Sequence, residues 1–266
     1  MAVMKIFEEN GNLILVQDDF TLFDTFECGQ TFRWDKVSED TYHGYVLDRE
    51  LTVSQSGNKF ILHNVCLEDT DFWADYFDLD TDYGEVKRQL SADPVMAKAC
   101  EFGGGIRILK QNSYEMLISF IISQNNNIPR IKKNINDLCG YYGHFPTSRE
   151  LSETAENELD FIKLGYRAPY IINAAKMVQN GELDLDKIKH APIAGARKSL
   201  LNVLGIGAKV CDCVLLFGLN RLDAFPVDTW IRRALADCYP QGLPDTVMKY
   251  PGIAQQYLFH YRRNGY

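Results

Sequence analysis

Leu204-Gly205-Ile206-Gly207-Ala208-Lys209 and Pro226-Val227-Asp228-Thr229 are the two stretches on which the reading of this chain turns, with Asp228 nineteen residues beyond Lys209. The first spells a tight glycine turn that opens a helix with a lysine in its first turn. Leu200, Leu201, Val203 and Leu204 close the preceding helix, and Val210, Val214 and Phe217 mark a buried stripe on the next. Gly205 and Gly207 let the backbone turn sharply and come close to a ligand. The free N–H groups at the start of the second helix then suit a phosphate, and the turn carbonyls suit a monovalent cation. A bare Gly-x-Gly is more often an ordinary turn between packed helices, so the lysine carries the distinction. At the positive end of a helix the macrodipole disfavours a cation. Near a phosphate, or as an amine nucleophile, the placement of Lys209 makes sense.

Asp228 follows Pro226 and precedes Trp230-Ile231-Arg232-Arg233, so it reads first as an N-cap. Capping also fixes a carboxylate in place, where its charge stabilises a developing cationic centre or steers protons. Cys213 lies four residues after Lys209 and shares its helix face, as a pocket wall or as a small buried residue. Gln255 and Phe259 repeat that spacing. An amide beside an aromatic ring reads a base edge and stacks on its face, although such pairs are also common in cores. Ser123-Gln124-Asn125-Asn126-Asn127 is a poor helix former between two apolar helical segments, with more side-chain amides than a turn needs. Gly29-Gln30-Thr31-Phe32-Arg33-Trp34 reads as the entrance to a strand.

The first third of the chain reads as β. Short runs at Val3–Phe7, Leu13–Val16, Thr31–Trp34, Tyr42–Leu47, Leu51–Gln55 and Lys59–Leu62 are divided by Asn10-Gly11-Asn12, Asp48-Arg49 and Gly57-Asn58. From about Glu68 the pattern turns helical. Asp93-Pro94 is a cap and first-turn proline, Asn112 with Glu115 resembles a capping box, and further helices are expected over 128–142, 167–180, 194–203, 208–218, 229–238 and 252–263. The fold class is therefore α+β: an N-terminal antiparallel sheet domain with a helical exit over 1–90, packed on a mostly α-helical body over 91–266 with its hairpin at 200–218.

The 266 residues carry a net charge of −8, which disfavours a protein that coats nucleic acid. The acid is unevenly placed. Residues 1–90 hold 19 acidic and 7 basic residues, whereas 91–266 hold 17 and 21. Across 197–233 the six cations Arg197, Lys198, Lys209, Arg221, Arg232 and Arg233 outnumber Asp212, Asp223 and Asp228. A weakly basic working face on an acidic body is compatible with DNA. No apolar run reaches the ~18 residues of a membrane span, Met1–Glu9 lacks the pattern of a signal peptide, and seven scattered cysteines suit a reducing compartment. A cytoplasmic protein with no membrane association is expected.

No His-Glu-x-x-His or His-x-Glu with Pro-Cys-x-x-Cys is present, which disfavours a zinc deaminase. Cys211 and Cys213 are too close together, and the C-terminal region lacks the cysteine cluster an iron–sulfur site needs. No cofactor and no metal are expected beyond a monovalent cation at the hairpin carbonyls.

Taken together, these segments resemble the helix-hairpin-helix (HhH-GPD) DNA glycosylases, and within them the 8-oxoguanine DNA glycosylase/AP lyases. The match runs from Cys28-Gly29-Gln30-Thr31-Phe32-Arg33-Trp34 through Ser119–Ile131, Leu164-Gly165-Tyr166-Arg167-Ala168 and the hairpin to Phe259. The hairpin and Pro-Val-Asp point to the superfamily; the Asn triplet, the Gly29–Trp34 string and the lysine point to the member. The resemblance implies a bifunctional enzyme of base excision repair that flips and excises 8-oxoguanine opposite cytosine. Lys209 would be its nucleophile and Asp228 its essential carboxylate. The Gly29 carbonyl would accept the N7 proton, Phe259 and Cys213 would sandwich the base, and Gln255 would meet its Watson–Crick edge. Asn125, Arg130 and Arg167 would hold the cytosine, Tyr166 would wedge into the gap, and Gly205 and Gly207 would hold a phosphate. The expected partner is duplex DNA containing 8-oxoguanine, bound by a monomer in the nucleoid or the nucleus. Trp230 stands where the family often has a phosphate-binding histidine. Two other readings share these residues: a glycosylase for another purine lesion such as formamidopyrimidine, and a non-catalytic helix-hairpin-helix DNA-binding module.

Overall fold

The computed structural model describes residues 5–266, so Val3 and Met4 of the first expected strand lie outside the described residues. The chain divides into two compact units, one formed by 1–110 with 227–266 and the other by 111–226. This partition is discontinuous, unlike the two consecutive segments expected around residue 90.

In the first unit, β1 (Lys5–Glu9), β2 (Asn12–Val16), β3 (Trp34–Ser38), β4 (Thr41–Val46), β5 (Arg49–Ser56) and β6 (Lys59–Leu62) form one antiparallel sheet in the order β1-β2-β6-β5-β4-β3. Alternate residues of β4 point inward, Tyr42, Gly44 and Val46 being buried, as a sheet with one solvated face requires. That inner face packs on α1 (Leu22–Glu27) and α2 (Thr70–Tyr76) through Phe26, Trp34, Phe60, Trp73 and Phe77. Then come α3 (Tyr83–Leu90) and α4 (Pro94–Phe102), the latter capped by Asp93 as its Asp-Pro start predicts.

The strand expected at Thr31–Trp34 begins only at Trp34. Residues 28–33 instead form a buried bend after α1, a helix absent from the sequence reading. The Thr21 side chain caps α1 at Asp24 N, and Leu22 and Phe26 are buried at i, i+4. That tertiary packing outweighs the β-leaning composition of the segment.

The second unit holds α5 (Ser113–Ile122), α6 (Ile128–Tyr142), α7 (Ser148–Glu153), α8 (Arg167–Gln179), α9 (Leu185–His190), α10 (Ile193–Leu201) and α11 (Ala208–Cys213). Asn112 caps α5, its Oδ1 accepting Glu115 N at 2.9 Å. After α11 the chain continues as a π-turn over Val214–Gly218, with Leu219 N donating to Val214 O at 3.0 Å. The first unit is completed by α12 (Thr229–Cys238), α13 (Asp245–Met248) and α14 (Pro251–Arg263).

Candidate active site

The hairpin joins α10 to α11 through a turn in which Val203 N donates to Leu200 O and Ile206 N to Val203 O. Gly205 adopts φ +82° against the Tyr170 ring, where a Cβ would stand 2.1 Å from Cδ2. Only glycine fits there. Gly207 has an ordinary φ of −94° and caps α11, and a Cβ there would meet nothing within 4 Å. The two glycines thus differ: the turn needs the first, whereas nothing in the fold around the second requires glycine. The hairpin is braced by Arg197, whose Nε donates to Asp212 Oδ1 at 2.8 Å.

Lys209, in the first turn of α11, is half-buried, with its Nζ 5.5 Å from the centre of the Phe120 ring. Phe120 is itself stacked on Phe217, ring centres 5.4 Å apart. Among the described residues of this unit, no carboxylate pairs with the amine. Cys213, one turn on, is buried.

The Asn string separates α5 from α6, and the structure divides its labour. Asn126 Nδ2 closes the end of α5 at Ile122 O, and Asn127 caps α6 by accepting Arg130 N at 3.0 Å. Asn125 is exposed and, alone of the three, left-handed at φ +46°, with its Nδ2 donating to Tyr166 Oη at 2.9 Å. Tyr166 is exposed and sets its ring edge against Tyr170, which covers Gly205. Wedge candidate and hairpin are therefore linked through one aromatic pair. Arg167 is buried: its Nε donates to Gln124 O at 2.8 Å, Nη1 to Leu164 O and Nη2 to Asn125 O. A grip on a base would require it to release some of these carbonyls. Arg130 is exposed and lines an open cavity of about 250 Å³ with Lys133, Asn134, Phe161, Ile162 and Lys163, a cationic rim suited to an anionic backbone.

In the first unit, Asp228 caps α12, its Oδ1 accepting Ile231 N at 2.8 Å. Trp230 is partly exposed, and the Arg233 guanidinium lies 5.4 Å from the centre of its ring. On α14, Gln255 is 3% exposed and its Oε1 is buried with no hydrogen-bond partner among the described residues. Such an orphaned acceptor costs about 1–3 kcal/mol, and a ligand donor would relieve it. Phe259 is half-buried one turn on.

Gly29 follows α1 at φ +82°. Its neighbours are held firmly. The Gln30 amide donates to Thr25 O at 2.9 Å and Arg107 O at 2.7 Å and accepts Leu109 N at 2.9 Å. Gln256 Nε2 donates to Cys28 O at 2.7 Å. Burial pushes the Cys28 thiol up to about 12, so it stays a neutral packing group. Tyr170, Phe120, Gln30 and Gln256 are contributors the sequence reading did not single out. Each works through contacts distant along the chain, which leave no local signature.

Residues 12–117 match the family described as 8-oxoguanine DNA glycosylase, N-terminal domain, and 118–248 match the HhH-GPD superfamily base excision DNA repair proteins. The N-glycosylase/DNA lyase of Saccharomyces cerevisiae is 31% identical over 84% of this chain and 69% of its own length. The chain belongs to the 8-oxoguanine DNA glycosylase family. Among solved structures, the Clostridium acetobutylicum 8-oxoguanine glycosylase/lyase, in complex with DNA containing cytosine opposite 8-oxoguanine, is 37% identical, with a TM-score of 0.90 over 98% of both chains. A second, MBOgg1 in complex with a low-affinity DNA ligand, is 39% identical, with a TM-score of 0.91 over 98% of this chain and 99% of that one.

Proposed function

We propose that this chain is a bifunctional DNA glycosylase/AP lyase that flips 8-oxoguanine out of duplex DNA, excises it and nicks the strand. The observation that carries the reading is the Lys209 amine at the head of α11, behind a hairpin whose backbone is open at Gly207. A target base inside a duplex is out of reach, so the nucleotide leaves the stack first. Lys209 Nζ, unprotonated, attacks C1′ as the glycosidic bond breaks, and the base departs with that electron pair and takes a proton. Opening of the sugar ring and loss of a proton from nitrogen leave a Schiff base. Removal of a C2′ proton then expels the 3′ phosphate by β-elimination. Asp228, held by its capping bond, stabilises the cationic sugar.

Recognition follows from hydrogen-bond polarity. 8-Oxoguanine carries a proton on N7, which the Gly29 carbonyl accepts; guanine would set a lone pair against it. Gln255 Oε1, an acceptor in need of a donor, suits the N1–H and amino group of a 6-oxopurine edge, with Phe259 and Cys213 on the faces of the ring. Asn125, Arg130 and Arg167 hold the opposite cytosine, and Tyr166 fills the gap. The chemistry needs no metal or iron–sulfur cofactor, and the enzyme acts on duplex DNA as a monomer.

Borohydride added to the protein with an 8-oxoguanine:cytosine duplex should trap a covalent complex, and Lys209→Gln should trap none. Equal trapping by the variant, or none by the wild type, would overturn the mechanism. Duplexes with each opposite base, and with other purine lesions, test the specificity.

A further inference from the structure

Gln256 is 1% exposed and adjoins Gln255, yet it points at a different target. Its Nε2 donates to the carbonyl of Cys28, the oxygen of the peptide that enters Gly29. Gly29 sits at φ +82°, and a glycine passes between positive and negative φ with little resistance. The direction of its own carbonyl is therefore not intrinsic and has to be imposed from both sides. On the C-terminal side the Gln30 amide does this with bonds to Thr25, Arg107 and Leu109. On the N-terminal side, Gln256 holds the plane of the Cys28–Gly29 peptide. One further bond joins α14 to the same helix end: Arg263 Nη1 donates to Glu27 O at 3.2 Å.

We infer that Gln256 is a positioning residue for lesion discrimination, aiming the Gly29 carbonyl by clamping the peptide before it. The inference rests on the reading of Gly29 as the acceptor of the N7 proton. Rejection of guanine depends on a carbonyl that cannot turn away from the N7 lone pair. A loosened Gly29 swings aside, losing the bond to 8-oxoguanine and the repulsion of guanine together. Nicking of an abasic site requires no base reader and is untouched.

The test uses the full chain with Gln256→Met, of similar volume but without a donor, and Gln256→His, which keeps one. Single-turnover excision is measured on 8-oxoguanine:cytosine and guanine:cytosine duplexes, alongside nicking of an abasic duplex and melting temperature. Gln256→Met should excise 8-oxoguanine on the order of tenfold more slowly, narrow the ratio over guanine by a similar factor and nick abasic DNA within about twofold of wild type. Gln256→His should recover part of the ratio. An unchanged ratio overturns the inference, and so does a fall of excision and abasic nicking in step with a lowered melting temperature, which marks a purely structural role. Failure of the wild type to excise 8-oxoguanine would overturn the functional reading itself, whatever the variants do.

Discussion

Gly205 and Gly207 look interchangeable in the sequence, and their surroundings make them opposites. Gly205→Ala would place a methyl group 2.1 Å from the Tyr170 ring at a left-handed φ of +82°, costing about 2–4 kcal/mol of stability. Gly207→Ala meets open space, so its melting curve should shift by less than about 0.5 kcal/mol. If the hairpin backbone lies against a phosphate, duplex affinity should nonetheless fall. Thermal melts and DNA titrations of the two variants check this, and a Gly207→Ala protein that binds as wild type would remove the hairpin from the interface. The sequence shows that glycine is wanted at both positions; the reason is visible only once Tyr170 is in place. The same holds for Asn125, one of three identical residues until Asn126 and Asn127 are spent on helix ends.

At the scale of elements, Asp228 caps α12, and the proposed mechanism asks the same carboxylate to stabilise a cationic sugar. Asparagine caps a helix about as well as aspartate. Asp228→Asn should therefore melt within about 0.5 kcal/mol of wild type while base excision collapses, and Asp228→Ala should lose about 1 kcal/mol of stability as well. Retained excision by Asp228→Asn would reduce the residue to a cap. The caps of α4, α5 and α12 were legible because capping joins residues only two or three apart. The bend at 28–33 was not: Gln30 and Trp34 are positioned by Arg107, Leu109 and Tyr76, and Trp34 Nε1 donates to Tyr76 Oη at 2.8 Å. The alternation of Thr31-Phe32-Arg33-Trp34 resembles a strand until those distant partners bend it.

Across the whole molecule, charge follows the two units. Residues 111–226 hold 13 basic and 12 acidic residues, and the remainder hold 15 and 24. So little excess cation neutralises few phosphates. The slope of log affinity against log salt should be no steeper than about −4, equivalent to about four phosphates. A slope near −10 in salt titrations would show a far larger electrostatic footprint. Helical periods, glycine turn and capping aspartates were set by the sequence itself, because each rests on residues within a few positions of one another or on residue chemistry alone. Only the tertiary structure decided that 227–266 joins the N-terminal unit, and that the carbonyl before Gly29 is held by Gln256, 228 positions away. A hydrogen bond that closes so long a loop depends on the packed core that brings its ends together, and nothing local announces it.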